Sequence, residues 1–385
     1  MFGLASDSFC LIEADQQWFL QDIALAAASQ QMVTKQSYIE VLMAENTSRL
    51  GMVTQMLIAL YSAYQQQIPI IFNRSASKIL LENLPLGFAV GLQTSGTTGA
   101  AKLIFHRWAS LKPTQIQSGK HSRWLLCYHP MSFAGLQVIL QALLSGDTLI
   151  AATTQDIKAK AQLAIQEDVT CLSLTPSLFR AMVMCWQQQI PELKRITFGG
   201  EICEQSTLDL CHQLFPAAEI RHIYALTEAG IVFSVKDGKA GFPASWLEQS
   251  WNGWTLQLQD QQLCLSRDKQ LIFTGDNIHQ EQGRCFFSGR LDNIVNVGGH
   301  KVDMEQLERQ LLQLPKVLDV RVYAKKNPIT GYIIAAEILS QDQDCTREAL
   351  QAFNHSLSPA ERPRLVQFVD VITLSPTGKK QRVMP

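Results

Sequence analysis

Thr94-Ser95-Gly96-Thr97-Thr98-Gly99-Ala100-Ala101-Lys102 is the stretch on which the reading of this chain turns. Its two glycines let the backbone bend tightly enough for several N–H groups to point at one anion. Three threonines and a serine add hydroxyl donors, and Lys102 adds a positive charge suited to a polyphosphate. The apolar run from Phe88 to Gln93 reads as a short strand leading straight into this loop. The pattern is not a Walker A loop, which requires glycine immediately before the lysine; here Ala101 stands there. A Ser/Thr/Gly turn without a ligand has the same composition, so the loop takes its meaning from what surrounds it.

The 385 residues suit two to three domains at about 150 residues each. Hydrophobic residues make up 46% and charged residues 17%, a globular balance that needs no disulfide or structural metal to fold. Thirty-three basic against 34 acidic side chains leave a formal charge of −1, which excludes an electrostatic case for a general nucleic-acid or anionic-membrane binder. The nine cysteines are odd in number and never spaced C-x-x-C, which argues against a disulfide framework or a thiolate zinc site and for reduced, buried thiols. No basic residue precedes Lys35, which argues against a secretory signal, and no run of 18 apolar residues suggests a membrane span. A cytoplasmic protein is expected.

Strand-like runs alternate with helical patterns over most of the length, which predicts an α/β fold. Strands are expected at Thr148 to Ala152, Cys171 to Thr175, Arg195 to Phe198 and Ile220 to Tyr224. Helices are expected at Leu136 to Leu144, Ile157 to Gln166, Ser177 to Gln188 and Glu204 to Leu214. From about Gly241 to Phe273 short polar pieces rich in Trp and Gln predict an antiparallel subdomain. After Asp292 the order strand, helix, strand, strand, helix, strand suffices for a small α+β domain. The chain therefore divides into residues 1–291, a large α/β domain carrying the antiparallel piece, and residues 292–385.

Further along, Tyr224-Ala225-Leu226-Thr227-Glu228 ends a strand with a hydroxyl beside a carboxylate. Such a pair can hold a phosphate oxygen together with its Mg²⁺, although it also suits a plain helix cap. Upstream of it, Gly199-Gly200-Glu201 closes a strand as a turn. Downstream stand Phe273-Thr274-Gly275-Asp276, Gly289-Arg290-Leu291-Asp292, Gly298-Gly299-His300-Lys301 and Pro376-Thr377-Gly378-Lys379.

Taken together and in this order, these segments resemble the signatures of the adenylate-forming superfamily, which includes acyl-CoA and aryl-CoA synthetases, luciferases and the adenylation domains of peptide synthetases. The resemblance runs from about residue 94 to the C-terminus. It implies ATP and Mg²⁺, with Thr94, Ser95, Gly96, Thr97, Thr98, Gly99 and Lys102 on the phosphates. Gly200 and Glu201 would line the adenine side, with Gly199 toward the acyl pocket and Tyr224 stacked near the adenine. Thr227 would contact the α-phosphate and Glu228 the metal. Asp276 would accept hydrogen bonds from both ribose hydroxyls, which charge assistance strengthens, and Arg290 would reach the ribose or phosphate. Asp292 stands at the family's hinge position, and Gly298 and Gly299 beside its pantetheine tunnel. Lys379 would be the lysine of adenylation, an ammonium on a mobile domain that neutralises charge building during attack. His300 suits a surface histidine equally well.

The chain departs from the pattern at Ala101, for proline, and at Ala225, for glycine. Met131 and Ser132 replace an aromatic-His pair, leaving His129 and Phe133 as acyl-pocket candidates. Only about 92 residues precede the loop, so a first subdomain is expected to be reduced or missing. The implied reaction joins a small carboxylic acid to ATP, then passes the acyl group to CoA, most like aryl-acid or o-succinylbenzoate-type CoA ligases. Two alternatives stay open: transfer to the phosphopantetheine of an acyl carrier protein, and a nucleotide-binding homologue acting without catalysis as a partner protein.

Overall fold

Four short strands, Arg123–Leu126, Cys171–Leu174, Arg195–Phe198 and Thr148–Ala151, carry almost wholly buried side chains and pair in parallel. Parallel strands covered on both faces need such continuous apolar runs. They form the middle of an eight-stranded sheet in a computed structural model describing residues 8–29, 38–42, 51–74, 81, 83–93, 102–113, 121–152, 156–186, 189–290, 293–328, 330–372, 374, 379–380 and 382. Glu219–Leu226 extends it in parallel, and Gly230–Val235 folds back antiparallel to close one edge. The hairpin Cys10–Glu13 and Gln16–Phe19 closes the other beside Thr148–Ala151. The fold is α/β.

The segment before residue 94 is organised. Ile39–Leu42, Ile70–Asn73, Ala89–Gln93 and Leu103–Arg107 make a separate four-stranded sheet, and residues 94–101 lie in sequence between its last two strands. Helix Met52–Gln66 packs Val53, Met56, Leu57 and Leu60 into the core these strands share with the large sheet. Its first turn is held by Glu13, whose carboxylate accepts from the Val53 and Thr54 amides at 2.9 Å each. The residues before position 94 thus contribute strands and a helix of their own to the fold.

The antiparallel piece is a six-stranded sheet that runs further than the sequence suggests. Gln270–Glu281 continues past Phe273 and pairs with Arg284–Arg290 across a turn in which Gln282 and Gly283 both have positive φ. Its polar tip, His279-Gln280-Glu281, lacks the alternation that marks a strand; cross-strand pairing holds it, including the stack of His279 on Phe286 at 5.4 Å. Toward the C-terminus, helix Met304–Leu312 begins under Asp303, which accepts from the Glu305 amide at 2.9 Å. It packs with helix Gln343–Ser356 and the three-stranded sheet Val317–Asn327, Gly331–Ser340, Leu365–Phe368 around a core of its own. No helix among the described residues is long and apolar enough to cross a membrane.

Candidate active site

One face of the large sheet and helix Phe133–Ser145 enclose a cavity of about 250 Å³. The helix starts because Ser132 caps it, accepting from the Gly135 amide at 3.0 Å, and this start turns Phe133 and Ala134 toward the cavity. At the carboxyl ends of the strands, where ligands of open α/β sheets bind, the wall is Gly199, Gly200, Ala225, Leu226 and Thr227. The two glycines are tightly placed there, Gly200 also by its backbone conformation. Gly199, whose carbonyl accepts from the Tyr128 hydroxyl at 3.0 Å, would bring a Cβ to 3.0 Å from Ile223 Cγ1. Gly200 has φ +84°, and a Cβ on it would meet Lys379 Cε at 3.2 Å.

Tyr224, next to Ala225 of the cavity wall, pairs with Asp276, which lies within electrostatic reach of Lys379. The Tyr224 hydroxyl donates to Asp276 Oδ2 at 2.5 Å, and its ring stacks against Phe233 and Phe287 at centroid distances of 5.2 and 5.1 Å. Arg290 Nη1 lies 3.2 Å from Asp276 Oδ1, while Nη2 donates to the Thr274 carbonyl at 3.0 Å. Burial raises the Asp276 pKa, and Arg290, Tyr224, Thr274 and Lys379 oppose the rise. Tyr224 is pushed well above its ordinary value by burial and then by the neighbouring carboxylate. Asp276 is thus a carboxylate whose charge is shared among donors already in place.

Lys379 lines the cavity beside Gly200. More than a third of its surface stays accessible, yet loss of water around the ammonium lowers its pKa; Glu201 and Asp276 pull it up and Arg290 pushes it down. The next residue turns the opposite way. Lys380 is buried, its Nζ 2.8 Å from Asp319 Oδ1 and 3.1 Å from Glu308 Oε1, and it also donates to the Val320 carbonyl. Asp319 Oδ1 takes Arg180 Nη2 at 2.9 Å as well, and Glu308 pairs with Arg382. Glu201 joins this group to the site, accepting from the Lys380 amide at 3.3 Å and the Ser177 amide at 3.1 Å.

Apart from Lys379, the residues lining this cavity fall within the stretch matched by the profile of the AMP-binding enzymes, residues 37–254, more than half the chain. The chain belongs to the AMP-binding enzyme family. Among curated relatives it is 24% identical over 345 residues to the human mitochondrial acyl-coenzyme A synthetase ACSM2B, covering 75% of this chain and 59% of that protein. It is 24% identical over 335 residues to the D-alanine–D-alanyl carrier protein ligase of Staphylococcus epidermidis, covering 75% and 69%. The chain spans less than two thirds of the length of the first curated relatives it matches. In fold it is similar to the anthranilate CoA ligase AuaEII in complex with anthranoyl-AMP, with TM-score 0.74, 13% identity, and 98% of this chain and 93% of that chain covered.

In this AMP-binding enzyme Thr94, Ser95, Gly96, Thr97, Thr98, Gly99 and Asp292 lie outside the described residues. Lys102 is exposed just before Leu103–Arg107. Thr227 is on the cavity wall and Glu228 is exposed in the turn beside it. Phe133 lines the cavity, whereas His129 lies behind the wall: it is 7% exposed, and its Nδ1 accepts from the Met131 amide at 3.2 Å. Burial, with Arg74 and Lys160 nearby, lowers its pKa to about 4, which keeps it neutral. Gly298 and Gly299, both at positive φ, turn the exposed ribbon between Ile294–Val297 and His300–Asp303, away from the cavity wall. Sequence reasoning missed Arg180, Asp319, Lys380 and Arg221. For Asp319 a signal existed, since a carboxylate inside the apolar run Val317-Leu318-Asp319-Val320 must find a cation.

Proposed function

We propose that this chain is an ATP-dependent carboxylic acid ligase that forms an acyl-adenylate and then an acyl thioester with CoA. The observation that carries this reading is that Lys379 and Thr227 line one cavity while Lys379 lies within electrostatic reach of the Asp276–Arg290 pair, to which Tyr224 donates. In the first half-reaction a carboxylate oxygen attacks the α-phosphorus of ATP. The bond from that phosphorus to the bridging oxygen breaks, and pyrophosphate leaves with the electron pair. Asp276 accepts from the ribose hydroxyls and Arg290 steadies it. The Lys379 ammonium offsets the negative charge gathering where two anions meet. Mg²⁺ suits the donor set: Glu228 offers a carboxylate in the turn next to Thr227, and magnesium is commonly held by one or two carboxylates with substrate phosphates completing its shell. Bound there, it would neutralise phosphate charge.

In the second half-reaction the thiol sulfur attacks the acyl carbon, the carbon–oxygen bond to AMP breaks, and the thiol proton passes to solvent. Residues 292–385 act as a lid that turns about Asp292, withdrawing Lys379 and bringing Gly298 and Gly299 to the thiol's path. The similarity to a carrier-protein ligase supports a second reading of the acceptor, a carrier-protein phosphopantetheine. Carboxylate-dependent ATP–pyrophosphate exchange over aryl, short, medium and long acids tests the proposal. Exchange with one group of acids, reduced at least about 100-fold in Lys379→Ala, is expected. Measurable ATP binding without exchange for any acid would instead favour a non-catalytic partner protein.

A further inference from the structure

Lys379 and Lys380 leave the C-terminal segment in opposite directions: the first lines the cavity, while the second is only 8% exposed. Lys380 pairs with Leu374 in an antiparallel bridge, and neighbours in such an extended chain point to opposite sides. The Lys380 ammonium has three protons to donate and meets three oxygens: Asp319 Oδ1 at 2.8 Å, Glu308 Oε1 at 3.1 Å and the Val320 carbonyl. All three belong to helix Met304–Leu312 or strand Val317–Asn327, which pack into one apolar core. A methionine would fill the same space without dehydrating an ammonium. What three directed hydrogen bonds add over an apolar side chain is a fixed position.

The backbone of Lys380 is held from the other side as well. Its amide donates to Glu201 Oε1 at 3.3 Å, and Glu201 Oε2 accepts from the Ser177 amide at 3.1 Å. The same carboxylate faces Lys379. Burial lowers the Lys379 pKa; Glu201 leads the groups that oppose this, followed by Asp276 and Glu305, while Arg290 adds to it. Glu201 thus receives the backbone of one lysine and steadies the charge of its neighbour. Gly200, next to Glu201, leaves space for the stem of Lys379, whose Cε a Cβ there would meet at 3.2 Å. A lysine stem is a flexible four-carbon chain, so its root must be fixed if its tip is to be aimed. Catalytic groups need placing to within about 0.5 Å, and consecutive Cα atoms stand only about 3.8 Å apart. Holding Lys380 therefore aims Lys379.

We propose that Lys380 is a positioning residue of adenylation: anchored on Asp319, Glu308 and Val320, it sets where the Lys379 ammonium stands in the cavity. This rests on the ligase reading above and adds to it a residue that touches neither the acid nor ATP. The role is confined to one half-reaction. Thioester formation takes place with Lys379 withdrawn, so it does not depend on the anchor.

The test compares wild type with Lys380→Met and with the milder Glu308→Gln, which leaves Lys380 its Asp319 and Val320 contacts. Three quantities are measured: ATP–pyrophosphate exchange, thioester formation from ready-made acyl-adenylate, and the pH dependence of Lys379 acetylation by acetic anhydride. The last is read by mass spectrometry and needs no turnover. Lys380→Met should lower kcat of exchange by about 10- to 100-fold, as a misplacement of about 1 Å does, with the KM values for ATP and acid and the rate of thioester formation nearly unchanged. Lys379 should titrate higher in that variant, toward the ordinary ~10.4, because a displaced ammonium regains water. Glu308→Gln should act in the same direction by less, and it carries the test if Lys380→Met does not fold. With exchange present in wild type, three results overturn the positioning role and leave the ligase reading intact: undiminished exchange in the variants, an equal fall of both half-reactions, or an unmoved Lys379 titration. No wild-type exchange with any acid, with the titration still shifted in the variants, overturns the ligase reading while the placement of Lys379 by Lys380 stands. Neither exchange nor a shift overturns both.

Discussion

In the proposed reaction the chemistry rests on the side chains of Lys379 and Asp276, and each carries a measurable signature. Because desolvation holds the Lys379 pKa below the ordinary lysine value, its charge is lost at lower pH than an exposed lysine would lose it. Adenylation should therefore fall as pH rises through that depressed value, well before the ordinary ~10.4. Lys379→Arg should remove this alkaline limb, and an unchanged limb in that variant would assign it to another group. Asp276→Ala should raise the KM for ATP by about 10- to 100-fold, the range expected when hydrogen bonds to a charged acceptor are lost, with a smaller effect for Asp276→Asn. Equal KM values in all three proteins would remove Asp276 from the ribose. Both residues stood out in the sequence through the resemblance of their segments to the family's ordered signatures, and the structure brings Lys379 to the cavity lining within electrostatic reach of Asp276. Arg221 did not, because an arginine in Ile220-Arg221-His222-Ile223 shows nothing of the cavity until the Thr197 strand is laid beside it.

At the level of elements, the strand Val317–Asn327 and the C-terminal segment around Lys380 are locked by charges rather than by apolar packing alone. Burial would raise the pKa values of Asp319 and Glu308, but their cations outweigh it and hold both below the ordinary carboxylate range. Folded values depressed in this way contribute stability that is complete above the unfolded pKa of about 4 and disappears as pH falls through the folded values. Lys380→Met should cost about 1.5–3 kcal/mol near pH 7, since it removes the cation that Asp319 and Glu308 share and leaves each carboxylate one partner, Arg180 or Arg382, and much less near pH 3. Urea unfolding at both pH values checks this; a loss below about 1 kcal/mol at pH 7 would mean that water already reaches the group. Elements with their own local signal were readable: Arg195–Phe198 and Ile157–Gln166 fall where the sequence reading puts them. The Gln270–Arg290 hairpin exceeded its reading because pairing, not side-chain alternation, holds its tip. The Arg180–Asp319 pair joins residues 139 apart in sequence, and no local pattern encodes such a partnership.

For the whole molecule, the question is what must come apart if residues 292–385 swing between two chemistries. The contacts joining that part to the rest include Arg180–Asp319, Arg309–Glu204 at 3.9 Å and the Lys380 amide to Glu201. Asp319 has a second cation, Lys380, and the Val320 amide at 2.9 Å, all within the part that would move. Arg180 likewise keeps Thr207 Oγ1 at 2.8 Å on the part that would stay. The charge cluster therefore divides like a clasp whose two halves each close on themselves: parting it leaves neither ion bare. Dissolved salt can stand in for the partner each half gives up, and it screens the attraction between them. Raising ionic strength from about 0.05 to 0.5 M, where screening shortens from ~14 to ~4 Å, should speed thioester formation relative to adenylation, and the two half-reactions measured separately would show it. An identical response of both would mean that the clasp stays shut throughout turnover.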